Sequence, residues 1–512
     1  MTKVYVNIDI NSANCPFICK VLDNNNYVSE EMLYPFVDIY KRTNTTDIMF
    51  NTIAQLSVTP SKHILSIYDI IDIMEEHNMP EESIWGLECY NSLKKEYGIE
   101  PFSVWIKRCR EIGIRPWLSV RMNDCHPNPL LLDEKIGHFQ KTAHDNGWML
   151  GEDYGYFWSC YNYRFEQVRN IFLSYIEEQL SMYDVFGLEL DFMREIQCFQ
   201  YLTDNMDECT EIMNGFMRDV KKTVQKAEKT HGHPIKICVR VMRDYMQTKY
   251  YGFDPVTWAN EGIVDVINPT PRWTGGDSGI PVKEWKQLLP GIEIAPGVET
   301  VVNYEKSRYL GFASEEIARG LCASFLSQGA DSIYFYNYFL NPEEDTTYCN
   351  EHQRTAHPFY RNLSVLSACA DLETIHKYPL RFPLIPQADE AFSKPASMWQ
   401  PLPTDISANE EKFFDITTGK IPDGKNVYLI IGASSDISTS DILVNGNLCK
   451  EWTNVNIGYL PGIGSQPANY VFPETVCRKC KIDFSYLSDL TQNIKINSNA
   501  DNKIEWIEFI VF

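Results

Sequence analysis

Asp184-Val-Phe-Gly-Leu-Glu-Leu-Asp-Phe-Met-Arg-Glu195 carries the strongest structural signal in this chain of 512 residues. Its apolar and polar side chains alternate as on a β-strand, with Phe186, Leu188, Leu190 and Phe192 on one face and Gly187, Glu189, Asp191 and Met193 on the other. Buried carboxylates are costly unless they are paired or used in chemistry. The pattern is typical of a parallel barrel strand, apolar toward an outer helix and acidic toward the barrel mouth.

Seven further segments predict strands that alternate with helices. The eight predicted strands are Val4–Ile10, Asp47–Ile53, Arg115–Met122, Phe186–Phe192, Ile235–Val241, Val264–Asn268, Gly291–Ala295 and Ser332–Tyr338. Amphipathic helices are predicted between them, for example Arg164–Met182 and a helix capped by Ser314. This order predicts an α/β fold, a (β/α)8 TIM barrel. A doubly wound open sheet is the alternative, but no glycine-rich phosphate loop follows the first strand.

A second domain is predicted after the barrel. Residues 378–404 are rich in proline and read as a linker, and short β runs follow at Lys412–Ile416, Asn426–Ile431, Asp441–Val444, Asn493–Ile496 and Ile504–Phe512. Asn445-Gly446 is a hairpin turn signal. We therefore predict a barrel domain over 1–377, a linker over 378–404 and an all-β sandwich over 405–512.

Charge and composition narrow the classes of partner. The chain has 46 basic and 69 acidic residues, a net charge of −23, which disfavours nucleic acid or an anionic membrane as the main partner. Fifteen cysteines without regular spacing predict free thiols, and the start Met1–Asp9 is already strand-like rather than a signal segment. These features favour the cytoplasm, although a leader removed earlier would leave the same sequence. No metal or cofactor motif is evident, so none is expected.

Polar residues gather where the predicted strands end. They are Asp9, Asn51, Arg121, Asn123, Asp124, His126, Glu189, Asp191, Arg240 and Glu299. Because the carboxyl ends of barrel strands share one face, we expect these side chains to line one cleft. Each has a structural alternative: Arg121 could simply neutralise Asp191 or Glu189, and Glu189 could be a structural acid. The pair His231 and His233 precedes its strand and falls at the opposite barrel end.

Aromatic residues are abundant in the predicted loops. They include Trp148, Tyr154, Tyr156, Phe157, Trp158, Tyr161, Tyr163, Trp273, Tyr334, Tyr336 and Tyr338. Aromatic rings above an acidic mouth stack on sugar rings, so the predicted partner is an oligosaccharide or polysaccharide. Two carboxylates in such a cleft point to glycoside hydrolysis, in which one protonates the leaving oxygen and the other attacks the anomeric carbon or activates water.

Several of these segments resemble one group of proteins. They are Arg121-Met-Asn-Asp-Cys-His126, Gly187-Leu-Glu-Leu-Asp-Phe-Met-Arg194, Val264-Asp265 with Asn268-Pro269 and Arg272-Trp273, and Ala295-Pro-Gly-Val-Glu299. The group is that of bacterial family-ten-like glycoside hydrolases, TIM barrels that often carry a C-terminal β-sandwich. The resemblance implies a retaining glycosidase with Asp191 as acid/base and Glu299 as nucleophile. The roles are exchangeable, because the chain lacks the Asn-Glu pair typical of strand four in better-understood retaining barrels.

Together these observations predict a glycoside hydrolase in which Asp191 and Glu299 act and the other strand-end residues, with Asn268, Trp273 and Tyr336, bind substrate. The rival from another class is a non-catalytic carbohydrate-binding protein on a degenerate barrel. A third reading is a lyase or metal-dependent hydrolase with an ion at Asp9, Asp191 or Asp265.

Overall fold

A computed structural model describes most of the chain. The described residues are 2–8, 15–25, 27–79, 88–125, 129–200, 205–271, 276–299, 301–303, 310–312, 314–340, 360–361, 363–384, 402–455 and 475–512.

Parallel strands form the first domain. They are β1 (Lys3–Ile8), β2 (Asp47–Ile53), β3 (Arg115–Arg121), β4 (Gly187–Asp191), β5 (Lys236–Met242), β6 (Val266–Thr270), β7 (Glu293–Ile294), β8 (Gly297–Glu299) and, after the short antiparallel pair β9 (Val301–Asn303) and β10 (Leu310–Phe312), β11 (Ser332–Tyr336). Hydrogen bonds run in the order β7-β6-β5-β4-β3-β2-β1-β11-β8. All eight predicted strands are therefore present, with small shifts at their ends.

The seventh barrel strand is split where the sheet closes. Its first half, β7, pairs with β6, and its second half, β8, pairs with β11. Pro296 lies at the break, since proline has no N–H to donate to a neighbouring strand. Its carbonyl still accepts a hydrogen bond from the Tyr334 amide at 3.1 Å. The two halves join both edges of the sheet and confirm the predicted (β/α)8 barrel.

Helices connect the strands. They are α1 (Cys15–Asp23), α2 (Pro35–Asp38), α3 (Ile67–Glu76), α4 (Glu88–Tyr97), α5 (Pro101–Ile112), α6 (Phe139–Asp145), α7 (Glu166–Met182), α8 (Met206–His231), α9 (Tyr245–Tyr250), α10 (Pro255–Asn260), α11 (Val282–Leu288), α12 (Glu315–Ser327), α13 (Leu363–Ala368) and α14 (Leu372–Ile375). The predicted cap is confirmed, because Ser314 Oγ accepts from the Ile317 amide at 3.3 Å. In the described ranges, no helix combines the length and apolar character needed to cross a bilayer.

Large side chains fill the lower part of the barrel. The interior cluster comprises Tyr5, Met49, Trp117, Cys238, Val266, Ala295, Tyr334 and Tyr336. Gly187 makes room for this packing, since a Cβ at that position would lie 2.2 Å from the Trp117 ring. The interior is thus a packed core, as in other barrels of this size.

The second domain is a pair of antiparallel sheets. One contains β14 (Leu380–Pro383), β15 (Thr404–Ile406), β17 (Val427–Ala433), β20 (Thr453–Asn454), β21 (Val476–Ile482) and β23 (Asn502–Val511); the other contains β16 (Glu411–Thr417), β18 (Asp441–Val444), β19 (Asn447–Leu448) and β22 (Thr491–Asn497). A minor parallel pair, β12 (Phe339–Leu340) and β13 (Tyr360–Arg361), precedes them. The hairpin at Asn445-Gly446 has the positive φ angles, 48° and 81°, that this turn requires.

The structure corrects the reading of residues 378–404 as a linker without regular elements. Leu380–Pro383 is a strand that pairs with β23, and Thr404–Ile406 pairs with the other end of the same strand. Proline is tolerated there because Pro383 ends its strand. The barrel helix α12 packs tightly on this strand, since a Cβ at Gly320 would lie 2.0 Å from the Arg381 carbonyl oxygen. The sandwich sheet therefore begins within the proline-rich stretch.

Candidate active site

Polar side chains form a ring at the upper end of the barrel interior. The strand register places Arg121 opposite Asp191, Asp191 opposite Arg240, and Arg240 opposite Asn268, while Glu299 lies opposite Tyr336. Because side chains of one strand alternate between faces, residues in register on neighbouring strands point to the same side. The six residues therefore form one layer at the carboxyl end of the barrel, where (β/α)8 enzymes place their chemistry.

Arg240 joins the two predicted catalytic carboxylates. Its Nη1 donates to both carboxylate oxygens of Asp191 at 3.2 Å, and its Nη2 lies 3.8 Å from Glu299 Oε2. The side chains of all three residues have no exposed surface. Asp191 Oδ1 also accepts from the Met193 and Arg194 amides at 2.9 and 3.0 Å. Asp191 is thus held in one orientation by four N–H contacts, each of which stabilises its negative charge.

Tyr336 and Arg121 complete the ring beside these charges. The Arg240 guanidinium carbon lies 3.6 Å from the centre of the Tyr336 ring, within the range of a cation–π contact. Arg121 donates to Asp124 at 3.0 Å and approaches the Tyr336 hydroxyl at 3.5 Å. The cation that donates directly to Asp191 is Arg240. The expectation that Arg121 neutralises Asp191 or Glu189 stays a prediction.

Glu189 lies one layer below the ring and is fully buried. Its Oε2 accepts from Asn7 Nδ2 at 2.8 Å, and the same amide contacts Ser119 Oγ at 3.1 Å. Burial, with the charge of Asp191 as the next cause, raises the pKa of Glu189 to about 7. Burial also raises the pKa of the Tyr334 hydroxyl, which lies beside this carboxyl, well above its ordinary value. Near neutral pH the Glu189 carboxyl is therefore close to the midpoint of its titration.

The remaining predicted residues have different surroundings. Asn51 is buried and its Oδ1 accepts from the Ile53 amide at 3.2 Å. Asn123 braces two loops, since its side chain bonds the Tyr161 amide at 2.8 Å and the Gln197 carbonyl at 2.9 Å. Asn268 Oδ1 accepts from Thr270 at 2.6 Å, whereas its Nδ2 has no acceptor among the described residues. Asp9, His126 and Trp273 lie outside the described residues.

Sequence reasoning assigned no role to several residues of this centre. Arg194 and Glu195, which follow Asp191, are buried, and Arg194 Nε lies 3.9 Å from Asp124. Their position in the sequence could have identified them, because charged residues a few positions after a buried strand are expected at the barrel mouth. Tyr334 and Tyr336 were predicted in loops, but they lie on β11 inside the barrel. The alternation of Ser332–Tyr336 would have identified that inward face.

Other predicted sites are separate from this centre. Asp265 precedes β6, and its Oδ2 accepts from the Ile237 amide at 3.0 Å at the amino end of the barrel, so it does not share a site with Asp191. His233 bonds Asp184 at 2.6 Å at that same lower end, as expected. In the described part of the chain, no group of three or more His, Cys, Asp or Glu is arranged to hold a metal ion.

Comparisons with known proteins give only distant structural likeness. The sequence matches no protein-family model and no curated protein. Similar solved structures include α-L-fucosidase isoenzyme 2 from Paenibacillus thiaminolyticus, with 12% identity, a TM-score of 0.39, and coverage of 74% of this chain and 49% of that one. This chain thus spans about half the length of the fucosidase.

Two further solved structures are similar. The glycoside hydrolase domain of PgaB (BpsB) from Bordetella bronchiseptica has 10% identity and a TM-score of 0.36 over 72% of this chain and 98% of that one. The endo-β1,6-glucanase BT3312 has 8% identity and a TM-score of 0.38 over 97% and 92%. The structural neighbours are glycoside hydrolases, and the specific family-ten-like resemblance remains an expectation.

Proposed function

We propose that this chain hydrolyses glycosidic bonds with Asp191 and Glu299 as its carboxylate pair. The observation that carries the proposal is the pair's position: two buried carboxylates approach one guanidinium, Arg240, at the carboxyl end of the barrel. A buried charge cluster contributes little net stability, so its concentration at this face favours a catalytic role. Asn268 Nδ2 and Arg240 Nη2 add donors that have no acceptor among the described residues and suit sugar hydroxyl groups.

The contacts favour Asp191 as the nucleophile and Glu299 as the acid/base. A nucleophilic carboxylate has to be held in a fixed orientation, and Asp191 accepts four N–H contacts from Arg240 and two backbone amides. Glu299 Oε2 lies 3.8 Å from Nη2 of the same guanidinium, on the other side of the ring from Asp191, and we assign it the remaining role of acid/base. The family resemblance implied the opposite roles, with Asp191 as acid/base and Glu299 as nucleophile, and it allowed the two roles to be exchanged.

The proposed reaction has two displacement steps with retention at the anomeric carbon. Asp191 attacks the anomeric carbon while Glu299 gives its proton to the departing glycosidic oxygen, so the C–O bond breaks as the glycosyl ester forms. Glu299, now ionised, then takes a proton from water, and the water oxygen displaces Asp191. Arg240 limits the charge change at Asp191 in both steps, and Tyr336 holds the guanidinium by its ring face.

The test is sugar release from a panel of polysaccharides and aryl glycosides by wild type, Asp191→Asn and Glu299→Gln. Each variant is expected to lose at least about 10³-fold in turnover. Sodium azide is expected to restore turnover in Asp191→Gly as a glycosyl azide, because azide replaces a missing nucleophile. Asp265→Asn is the matched control, since Asp265 lies at the opposite barrel end and its amide acceptor is preserved. Full activity in Asp191→Asn would refute the assignment.

A second candidate, a non-catalytic carbohydrate-binding protein, is favoured by one observation. Asp191, Arg240 and Glu299 are fully buried and ion-paired, which also suits a structural charge cluster. Under this reading a glycan array detects binding by the wild type, binding survives in Asp191→Asn, and neither protein releases sugar. Hydrolysis of the bound glycan by the wild type alone separates the catalytic reading from this one.

A further inference from the structure

A second cavity lies at the opposite end of the barrel from the candidate active site. It has a volume of about 550 Å³ and lies beneath the amino ends of β3, β4 and β5. The residues that line it are Arg110, Gly113, Ile114, Arg115, Pro116, Phe186, His233, Pro234 and Lys236. This volume falls within the range of small-molecule sites in proteins.

The cavity is basic in a strongly acidic chain. Four of its lining residues are Arg110, Arg115, His233 and Lys236, and none of the described residues that line it is acidic, although the chain carries a net charge of −23. A local concentration of cations on an acidic protein attracts anions and excludes cationic ligands. The positive charge of this cavity is therefore a local feature that the acidic composition of the whole chain does not predict.

Nearby carboxylates compensate only part of this charge. Asp184 pairs with Arg110 at 2.6 Å and with His233 at 2.6 Å, and Asp47 pairs with Arg115. Lys236 has no carboxylate partner within the described part of the chain and is half-buried at the start of β5. The positive charge of Lys236 is therefore available to pair with an anionic ligand.

The wall of the cavity favours a flat ring. Phe186 is held by two contacts, with the Trp117 ring at 5.7 Å and the Arg115 guanidinium at 4.9 Å. An aromatic side chain fixed in this way is a preorganised surface for stacking. Ile114, Pro116 and Pro234 continue the apolar wall.

We propose that this cavity binds an aromatic organic anion of nucleoside-monophosphate size, with the ring against Phe186 and the anionic group at Lys236. Arg110 and His233, oriented by Asp184, border the anionic end. The ligand approaches from the face opposite Asp191, so it is neither the substrate nor the product of the proposed hydrolysis. This site stands independently of the proposed function.

Adenosine 5′-monophosphate is the probe, and its binding is measured by isothermal titration calorimetry at low salt. We expect saturation with a Kd of about 1 mM or tighter. Adenosine, which lacks the anion, and inorganic phosphate, which lacks the ring, are each expected to bind at least tenfold more weakly. Lys236→Glu and Phe186→Leu are expected to raise the Kd of the nucleotide at least tenfold. Lys420→Glu, at an exposed lysine of the sandwich, is the matched control and is expected to leave it unchanged.

Three results would overturn the proposal. They are the absence of saturation by the nucleotide, equal affinity for adenosine, and an unchanged Kd in a folded Lys236→Glu variant. Phe186→Leu keeps an apolar side chain and provides a second variant if Lys236→Glu does not fold. Circular dichroism of each variant establishes folding before titration.

Discussion

Replacing Glu189 with Gln should change how the stability of the barrel depends on pH. Glu189 is fully buried beside Asp191, and burial raises its pKa from 4.5 to about 7. In the unfolded chain the same carboxyl ionises at its ordinary pKa. Between the two pKa values the folded state therefore holds one proton more than the unfolded state. Gln is nearly isosteric, can still accept from Asn7, and does not ionise.

The sign and size of the effect follow from proton linkage. Where the folded state binds the extra proton, the free energy of unfolding falls as pH rises, by about 1.4 kcal/mol per pH unit. From about pH 5.5, which avoids the low solubility near the isoelectric point, to pH 7 the contribution of Glu189 decreases by about 2 kcal/mol. Above pH 7 both states are ionised and the decrease stops.

Urea unfolding followed by tryptophan fluorescence between about pH 5.5 and 8.5 measures this difference. The Glu189→Gln variant should gain about 2 kcal/mol relative to wild type as pH rises to 7, and the difference should then stay level. Glu134→Gln, at an exposed acid, is the matched control and should run parallel to wild type. Parallel curves for wild type and Glu189→Gln would refute the inference that burial raises the pKa of Glu189.

Two further predictions concern packing and the sandwich. Gly187→Ala should destabilise the barrel by about 1–3 kcal/mol, since its Cβ would lie 2.2 Å from Trp117. Gly215→Ala, in α8 with no atom within 4 Å of its Cβ, should stabilise by up to about 1 kcal/mol, and equal effects in thermal unfolding would contradict this reasoning. In β23, burial raises the pKa of Glu508 to about 7 beside Arg381. Arg381→Met should therefore cost about 3 kcal/mol at pH 8, where Glu508 is charged, and less at pH 6, and a pH-independent cost would exclude this coupling.

Much of the fold was predictable because local patterns report which face of a strand is buried. The alternation around Asp191 identified the inward face of β4, and the same parity placed Arg121, Arg240 and Glu299 in one layer. Glu299 required the strand to continue past Pro296, and β8 confirms that it does. Strand β14 was not predicted, because Leu380–Pro383 ends in a proline and its pairing depends on the distant β23.

The sequence predicted which residues belong to the candidate site better than it predicted which charged side chains pair with each other. Arg121 and Arg240 both lie next to Asp191 in the sheet, on β3 and β5. Sequence gives no means to choose between them, because the choice depends on side-chain reach across the barrel. Arg121 donates a hydrogen bond to Asp124, three residues later on the loop that follows β3. Arg240 donates a hydrogen bond to Asp191.

The amino-acid sequence by itself determined the strand order, the inward parity and the set of polar residues at the strand ends, since these follow from alternation and spacing along the chain. Only the tertiary structure decided that one guanidinium lies between Asp191 and Glu299, and that burial raises the pKa of Glu189. The physical reason is that ion pairing and desolvation depend on distances between strands that are far apart in sequence.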